Sequence, residues 1–289
     1  MTRQLLGLPV ANALTERVAE RAQRLAAHGV TPTLAIIRVG EREDDLSYER
    51  GALKRCERVG IDVRRYLLSA DCSQDELLAA IAEVNADDTI HGCLMFRPLP
   101  CTLNEAAACA ALDAAKDVDC VTEGSLFGVF ANRDVGFAPC TAEACIEVLD
   151  HYGYELTGAD VCVVGRSLVI GKPVSMMLQA RNATVTMCHT RTRDLAEKCR
   201  RADILVVAAG HVGTVRADAV RAGQVVIDVG INWDESAGRL RGDVAYDEVE
   251  PRVAAITPVP RGVGSVTTAV LAKHVVEAAE RQLAGSRPA

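Results

Sequence analysis

The sequence predicts an α/β protein of two domains, an N-terminal three-layer α/β unit followed by a doubly wound one. Three observations carry that reading. Strand-like and helix-like patterns alternate along the whole chain, which predicts parallel sheets covered by helices. The apolar runs, such as Val161–Val164 and Ile204–Ala209, show little polar alternation, as expected when both sheet faces are covered. A strand runs through a glycine turn into a helix at Val161–Leu178, VCVVGRSLVIGKPVSMML. The length of 289 residues, with 49% hydrophobic and 25% charged, suits two medium cores better than one. The boundaries expected are 1–140 and 141–265, with a closing helix over 266–285 returning to the first domain.

In the first half, an amphipathic helix is expected near Ala11–His28 and an extended run at Thr33–Val39. A helix through Leu46–Arg58 and a strand near Val63–Leu67 follow. Ser73 and Glu76 have capping-box spacing and open the next helix. The strand Gly92–Phe96 then ends in the stiff Arg97-Pro98-Leu99-Pro100. The stretch Asp117–Cys140 is glycine-rich and poorly periodic.

In the second half, a helix begins near Thr141, and strands are expected at 161–164, 183–188, 204–209 and 225–229. A last strand-like piece, Ala254–Val259, ends in Pro260-Arg261-Gly262-Val263-Gly264, and a helix from Val266 to Leu283 closes the pattern. The tail Gly285–Ala289 is expected to be disordered.

The corner at Val161–Leu178 reads as a phosphate site. Gly165 permits the turn, Gly171 lets backbones approach, and Pro173 opens the helix where its missing N–H costs nothing. The free N–H groups and dipole of a helix start favour an anion. Gly165 and Gly171, with Ser167 between them, do not have the usual G-x-G-x-x-G spacing. The second strand ends Cys188-His189-Thr190-Arg191-Thr192-Arg193, with no carboxylate before Asp194. An NAD site usually places an acidic residue there, whereas Arg166, Arg191 and Arg193 suit a 2′-phosphate, so NADP is the expected cofactor of this Rossmann-like unit. Gly210, and Gly230 with Ile231 in Asp228-Val229-Gly230-Ile231-Asn232, follow the next two strands, where backbone can meet the nicotinamide half.

Composition narrows the function classes. A net charge of −7 argues against a general nucleic-acid binder. No apolar run approaches the roughly 20 residues of a membrane span, and the first residues turn polar too soon for a secretory signal. Cytoplasmic residence is therefore expected. Eleven cysteines, scattered and without C-x-x-C or zinc spacing, read as small buried hydrophobes, and no metal site is expected.

The strings VGRSLVIGKPVSMML, VIDVGIN, ITPVPRGVGSVT, KDVDC and PCT, with the Tyr48 helix ending in Gly60-Ile61, resemble the methylenetetrahydrofolate dehydrogenase/cyclohydrolase family almost end to end. The resemblance implies a two-domain protomer, a homodimer, and a catalytic cleft between a folate-holding first domain and an NADP-binding second one. It implies that a hydride passes from 5,10-methylenetetrahydrofolate to NADP and that water then opens the methenyl cation to 10-formyltetrahydrofolate. It places Tyr48 along the folate ring, Asp119 at the pterin edge, and Pro258 with Gly262 at the pocket roof. Its version of the phosphate loop is Gly165-Arg166-Ser167 and Gly171, with Thr190 and Arg191 beside it.

Three positions depart from the family pattern. Its Tyr-x-x-x-Lys lysine falls on Ala52; Lys54 points about 120° away on the helix, and Arg55 lies on the right face but about two turns along. Its Gln-Leu-Pro-Leu-Pro loop puts Phe96 at the glutamine and Arg97 at the first leucine. Its Pro-Gly-Gly-Val-Gly-Pro roof becomes Pro260-Arg261-Gly262-Val263-Gly264-Ser265. A lysine tuned by burial serves the water-adding step, which an arginine cannot imitate. The expectation is a dehydrogenase with weak or absent cyclohydrolase activity, Arg97 and Arg261 restoring charge near Asp119 or binding the folate's glutamate tail. A folate- or nucleotide-binding homologue without turnover is the alternative.

Overall fold

The computed structural model describes residues 2–235 and 238–285. In chain order, its elements begin with β1 (Arg3–Gln4), α1 (Gly7–Ala26), β2 (Thr33–Val39), α2 (Glu43–Val59) and β3 (Asp62–Leu68). There follow α3 (Gln74–Ala86), β4 (Gly92–Met95), α4 (Glu105–Ala111), α5 (Glu123–Ala131) and α6 (Cys140–His151). The chain continues with β5 (Asp160–Val164), α7 (Gly171–Ala180), β6 (Thr184–Cys188), α8 (Leu195–Arg201), β7 (Ile204–Val207) and β8 (Val225–Asp228). It closes with β9 (Asn232–Asp234), β10 (Arg239–Arg241), α9 (Tyr246–Val249), β11 (Ala255–Ile256) and α10 (Thr267–Gly285). The chain divides into two units, Asn12–Cys140 with Thr268–Ala289, and Met1–Ala11 with Thr141–Thr267.

In the first unit β2 is the centre of a three-stranded parallel sheet, ordered β3-β2-β4. Its sequence TLAIIRV is buried throughout, as a strand covered on both faces must be. Ala35, Ile37, Leu77, Ile81, Ile90 and Met95 belong to one core cluster beneath α3. The helix α3 starts on the expected capping box, Ser73 Oγ accepting from the Glu76 N–H and the Glu76 carboxylate accepting from the Ser73 N–H. Two helices escaped the sequence reading. In α4, EAAACAA is too short and uniform to show a period, and Asn104 caps it. In α5, within the stretch read as irregular, Phe127 and Phe130 are exposed, so no apolar stripe marks it.

The second unit is a six-stranded, all-parallel sheet ordered β6-β5-β7-β8-β11-β1. Its order reverses at β5, which has β6 on one side and β7 on the other. In such sheets ligands bind beyond the carboxyl ends of the strands at this reversal. Cys162, Val164, Leu205, Val207, Val226 and Ile256 lie in its core. The strand expected over 254–259 shrinks to Ala255–Ile256. Beyond it the Thr257 side chain bonds the Asp228 backbone, and the chain turns through Arg261 at φ +82°. The expected boundary at 140 also misses a crossing: Arg3 and Gln4 pair with Ala255 and Ile256, so residues 2–11 join this unit. A two-residue strand has no periodicity to read.

Of the eleven cysteines all are free thiols, and all but Cys101 and Cys109 are buried. Among the described residues no helix is long and apolar enough to cross a membrane. Of the tail expected to be disordered, Gly285 ends α10 and 286–289 lie outside the described residues.

Candidate functional site

At the sheet reversal the corner is set by two glycines. Gly165 sits at φ +144°, and a Cβ there would strike the carbonyl of Ala208. A Cβ at Gly171 would strike the Gly165 carbonyl and the Arg166 nitrogen, so the start of α7 rests directly on the turn. The helix begins at Gly171, two residues before Pro173, with Ile170 at its N-cap and no side-chain cap; Ser167 holds the turn before it, its Oγ accepting from the Ile170 N–H at 3.1 Å and its carbonyl from the Lys172 N–H at 3.0 Å. Arg166 and Ser167 are exposed on the loop above.

The neighbouring strand end completes the corner. Val164 pairs with Cys188, and the Gly165 N–H donates to the Cys188 carbonyl, so the loops carrying Arg166 and Thr190-Arg191 leave the same sheet end side by side. His189 fixes the second loop by accepting the Arg191 N–H on Nδ1. Thr190, Arg191 and Arg193 are exposed, and Asp194 adopts a left-handed conformation at the start of α8. No acidic side chain precedes Asp194, and the exposed guanidinium groups suit an added phosphate. Gly210, at φ +70° with open space where a Cβ would point, follows β7. Its N–H is taken by Asp243, so it is not free to donate to a ligand.

Further along the same edge, Gly230 and Ile231 share a cavity of about 250 Å³ with Pro258, Arg261 and Gly262. Gly262 is required there, because a Cβ would press on the Pro258 carbonyl and on Thr257. Ile231 is 62% exposed and approaches Gly264. Arg261 is exposed and holds a left-handed backbone, its carbonyl accepting the Gly7 N–H at 2.8 Å. Residues assigned separately to folate and to nicotinamide are thus brought to one cavity.

In the first unit Tyr48 and Phe96 meet edge to face, with ring centroids 6.0 Å apart. Ala52 is fully buried on the α2 face that also buries Asp45, Glu49 and Cys56. Glu49 forms a buried ion pair with Arg38 of β2, at 2.8 Å. Lys54 is exposed, as the helical geometry requires. Arg55 donates to Thr15 Oγ1 at 2.6 Å, and burial lowers its pKa. Arg97 faces α4, its Nη1 3.7 Å from Glu105 Oε1.

Asp119 is presented by a tightly held loop. The buried Asp117 accepts the N–H groups of Val121 and Thr122 and the Thr122 hydroxyl. Cys120 takes a left-handed conformation, and His274 of α10 donates from Nδ1 to the Val118 carbonyl at 2.8 Å. Asp119 Oδ1 accepts the Cys140 N–H at 3.0 Å. Burial pushes its carboxyl above the usual range, and the Cys140 bond pulls the other way. A carboxyl so placed can hold a proton or accept from ligand N–H groups. The sequence reading missed Asp117 and His274. In KDVDC the two acids are two residues apart, and only the backbone shows that the first shapes the loop and the second is displayed.

Two family models match the chain: "Tetrahydrofolate dehydrogenase/cyclohydrolase, catalytic domain" over residues 5–119, and "Tetrahydrofolate dehydrogenase/cyclohydrolase, NAD(P)-binding domain" over 139–283. The bifunctional protein FolD of Carboxydothermus hydrogenoformans is 50% identical over 281 residues, 97% of this chain and 98% of that protein. The bifunctional FolD methylenetetrahydrofolate dehydrogenase/cyclohydrolase of Campylobacter jejuni superposes with a TM-score of 0.93 at 36% identity, covering 97% of this chain and 99% of that one. A Trypanosoma brucei methylenetetrahydrofolate dehydrogenase-cyclohydrolase, solved with NADP cofactor and an inhibitor, gives 0.90 at 34% identity over 98% of both chains.

Proposed function

The chain belongs to the tetrahydrofolate dehydrogenase/cyclohydrolase family, and from that premise we propose that it oxidises 5,10-methylenetetrahydrofolate to 5,10-methenyltetrahydrofolate with NADP, in one-carbon metabolism. The observation that carries the reading is the glycine-floored corner. Side chains at 165 and 171 would strike the backbone that forms the turn, so only glycine allows this corner to close, and the basic loops beside it suit the extra phosphate of NADP. Bound there, NADP supplies the hydride acceptor. Arg166, Ser167, Thr190 and Arg191 hold its adenosine phosphates, while Gly210, Gly230 and Ile231 frame its nicotinamide half.

On the folate side, Tyr48 lies along the pterin ring and Asp119 accepts from the pterin N–H groups. Pro258 and Gly262 shape the roof. Of the two arginines, Arg261 is exposed and Arg97 already faces Glu105, so the glutamate tail is assigned to Arg261. The chain works as a homodimer in the cytoplasm, and sedimentation at micromolar concentration checks the dimer.

The family carries two activities, and in this chain we place the weight on the first. Ala52 is sealed in the core where the family's lysine would reach the substrate, and Phe96 packs on Tyr48 at the glutamine position. With no tunable amine there, water addition to methenyltetrahydrofolate loses its proton-transfer group. Purified protein should reduce NADP with methylenetetrahydrofolate, followed at the NADPH absorbance, and hydrolyse methenyltetrahydrofolate little faster than buffer. Hydrolysis clearly above the buffer rate overturns the second statement. Ligand binding without NADP reduction overturns the first.

A further inference from the structure

Two carboxylates that this chemistry does not use stand at the carboxyl end of the six-stranded sheet. Asp228 ends β8 and Asp243 follows β10, and they are 2% and 0% exposed. Asp243 Oδ2 accepts the N–H groups of Ala209 at 2.6 Å and Gly210 at 2.8 Å, and its Oδ1 accepts the Asn232 side-chain amide at 2.9 Å. Asp228 Oδ1 accepts the N–H groups of Gly230 at 3.1 Å and Asp243 at 3.0 Å, and Oδ2 that of Val244 at 3.0 Å. The fit leaves no room for side chains: a Cβ at Gly230 would strike the Asp243 carboxylate, and one at Gly242 the Asp228 carboxylate.

Three separate segments, the loops after β7, β8 and β10, are therefore tied into one body by two buried carboxyl groups. Burying a carboxylate costs desolvation, and apolar packing could join loops as stably. What the carboxylates add is geometry, since each bond fixes a donor's direction as well as its distance. The first two segments carry Gly210, Gly230 and Ile231. We infer that Asp243 is a positioning residue for the dinucleotide: it sets the spacing of the β7 and β8 loops that frame the nicotinamide half, without touching the ligand itself. The inference rests on the NADP reading above.

The experiment compares two ligands by calorimetry: NADP, and adenosine 2′,5′-bisphosphate, which reaches only the Gly165–Ser167 corner. In Asp243→Asn an amide NH₂ must face one of the donors that the carboxylate satisfied. NADP affinity should fall about tenfold, as leaving a buried donor unmet implies. Adenosine 2′,5′-bisphosphate affinity should stay within about twofold, and the KM for NADP should rise while that for methylenetetrahydrofolate does not. Equal losses for both ligands would mean a loosened unit and overturn the inference, as would no loss at all. Should that variant not fold, Asn232→Ala removes one of the three bonds at a half-buried position and should weaken NADP by about threefold with the same selectivity. A wild-type chain that binds neither ligand sinks the NADP reading itself, whereas wild type and variant binding both ligands alike sinks only the positioning role.

Discussion

The nucleotide corner and the Tyr48 face differ in what their geometry is made of. At the corner, position is held by backbone: two glycines in contact, a turn closed on Ser167, and strand ends joined by main-chain bonds. Side chains there, Arg166 and Ser167 among them, are exposed. On the α2 face, the function proposed rests on individual side chains projecting from a helix, Tyr48 foremost. Ala52, Phe96 and the Arg38–Glu49 pair make that face a packed, internally satisfied surface. A site built on backbone resists drift in side-chain identity, and one built on side chains does not.

The sharpest way to break this contrast is Gly171→Ala. The added methyl meets backbone that cannot swing aside, so the variant should lose about 3 kcal/mol of stability in urea titration and all measurable NADP binding. Retained NADP affinity would show that the corner is not held as described. Next is Ala52→Lys. A lysine forced into that buried position should destabilise the chain by about 2 kcal/mol and leave hydrolysis of methenyltetrahydrofolate low. Combining it with Phe96→Gln should raise hydrolysis. If the single change alone restores full hydrolysis, the face has not drifted around the missing residue.

The carboxylate tie adds a pH signature to the nucleotide unit. Burial pushes the Asp228 pKa up to about 7. Between the ordinary carboxylate range and pH 7, the folded chain keeps a proton that the unfolded chain has released. Its contribution to stability is therefore complete at low pH and lost as pH rises through that window, by at most about 1.4 kcal/mol per pH unit. Subtracting the denaturation midpoints of Asp228→Asn, which has no such proton, should isolate the slope; parallel curves would contradict it. The smallest effect concerns Arg261. A left-handed arginine costs about 1 kcal/mol that glycine does not, so Arg261→Gly should raise the melting temperature slightly. If the guanidinium binds the folate tail, the same change should raise the KM for polyglutamylated substrate more than for monoglutamate.

Much of the frame was legible because it is written in local patterns. Thr33–Val39 is a strand of seven buried positions, five of them apolar, and Ser73 with Glu76 is a cap before a helix. The glycine corner was readable because only glycine meets its backbone demands. What was not legible depends on partners distant in sequence. Asp243 gains its meaning from N–H groups at 209, 210 and 232, and β1 from residues at 255 and 256. Arg38 and Glu49 carried a signal that could have been read. A charge inside TLAIIRV and an acid on the apolar stripe Asp45-Glu49-Ala52-Cys56 belong to elements that pack together, and each needs the other.

The pairing of β1 with β11 also orders events during synthesis. Arg3 is made well before its partner Ala255. The three-stranded unit waits as well, since His274 and Arg281 of α10 secure the 118–137 region. Neither unit is complete until these later segments are made, so the six-stranded sheet lacks its β1–β11 pairing and the earlier unit lacks α10 for much of synthesis. Such long-range closure slows folding and leaves strand edges open to misassociation. A stop codon placed just before α10 would therefore damage the earlier-made unit and spare the later one.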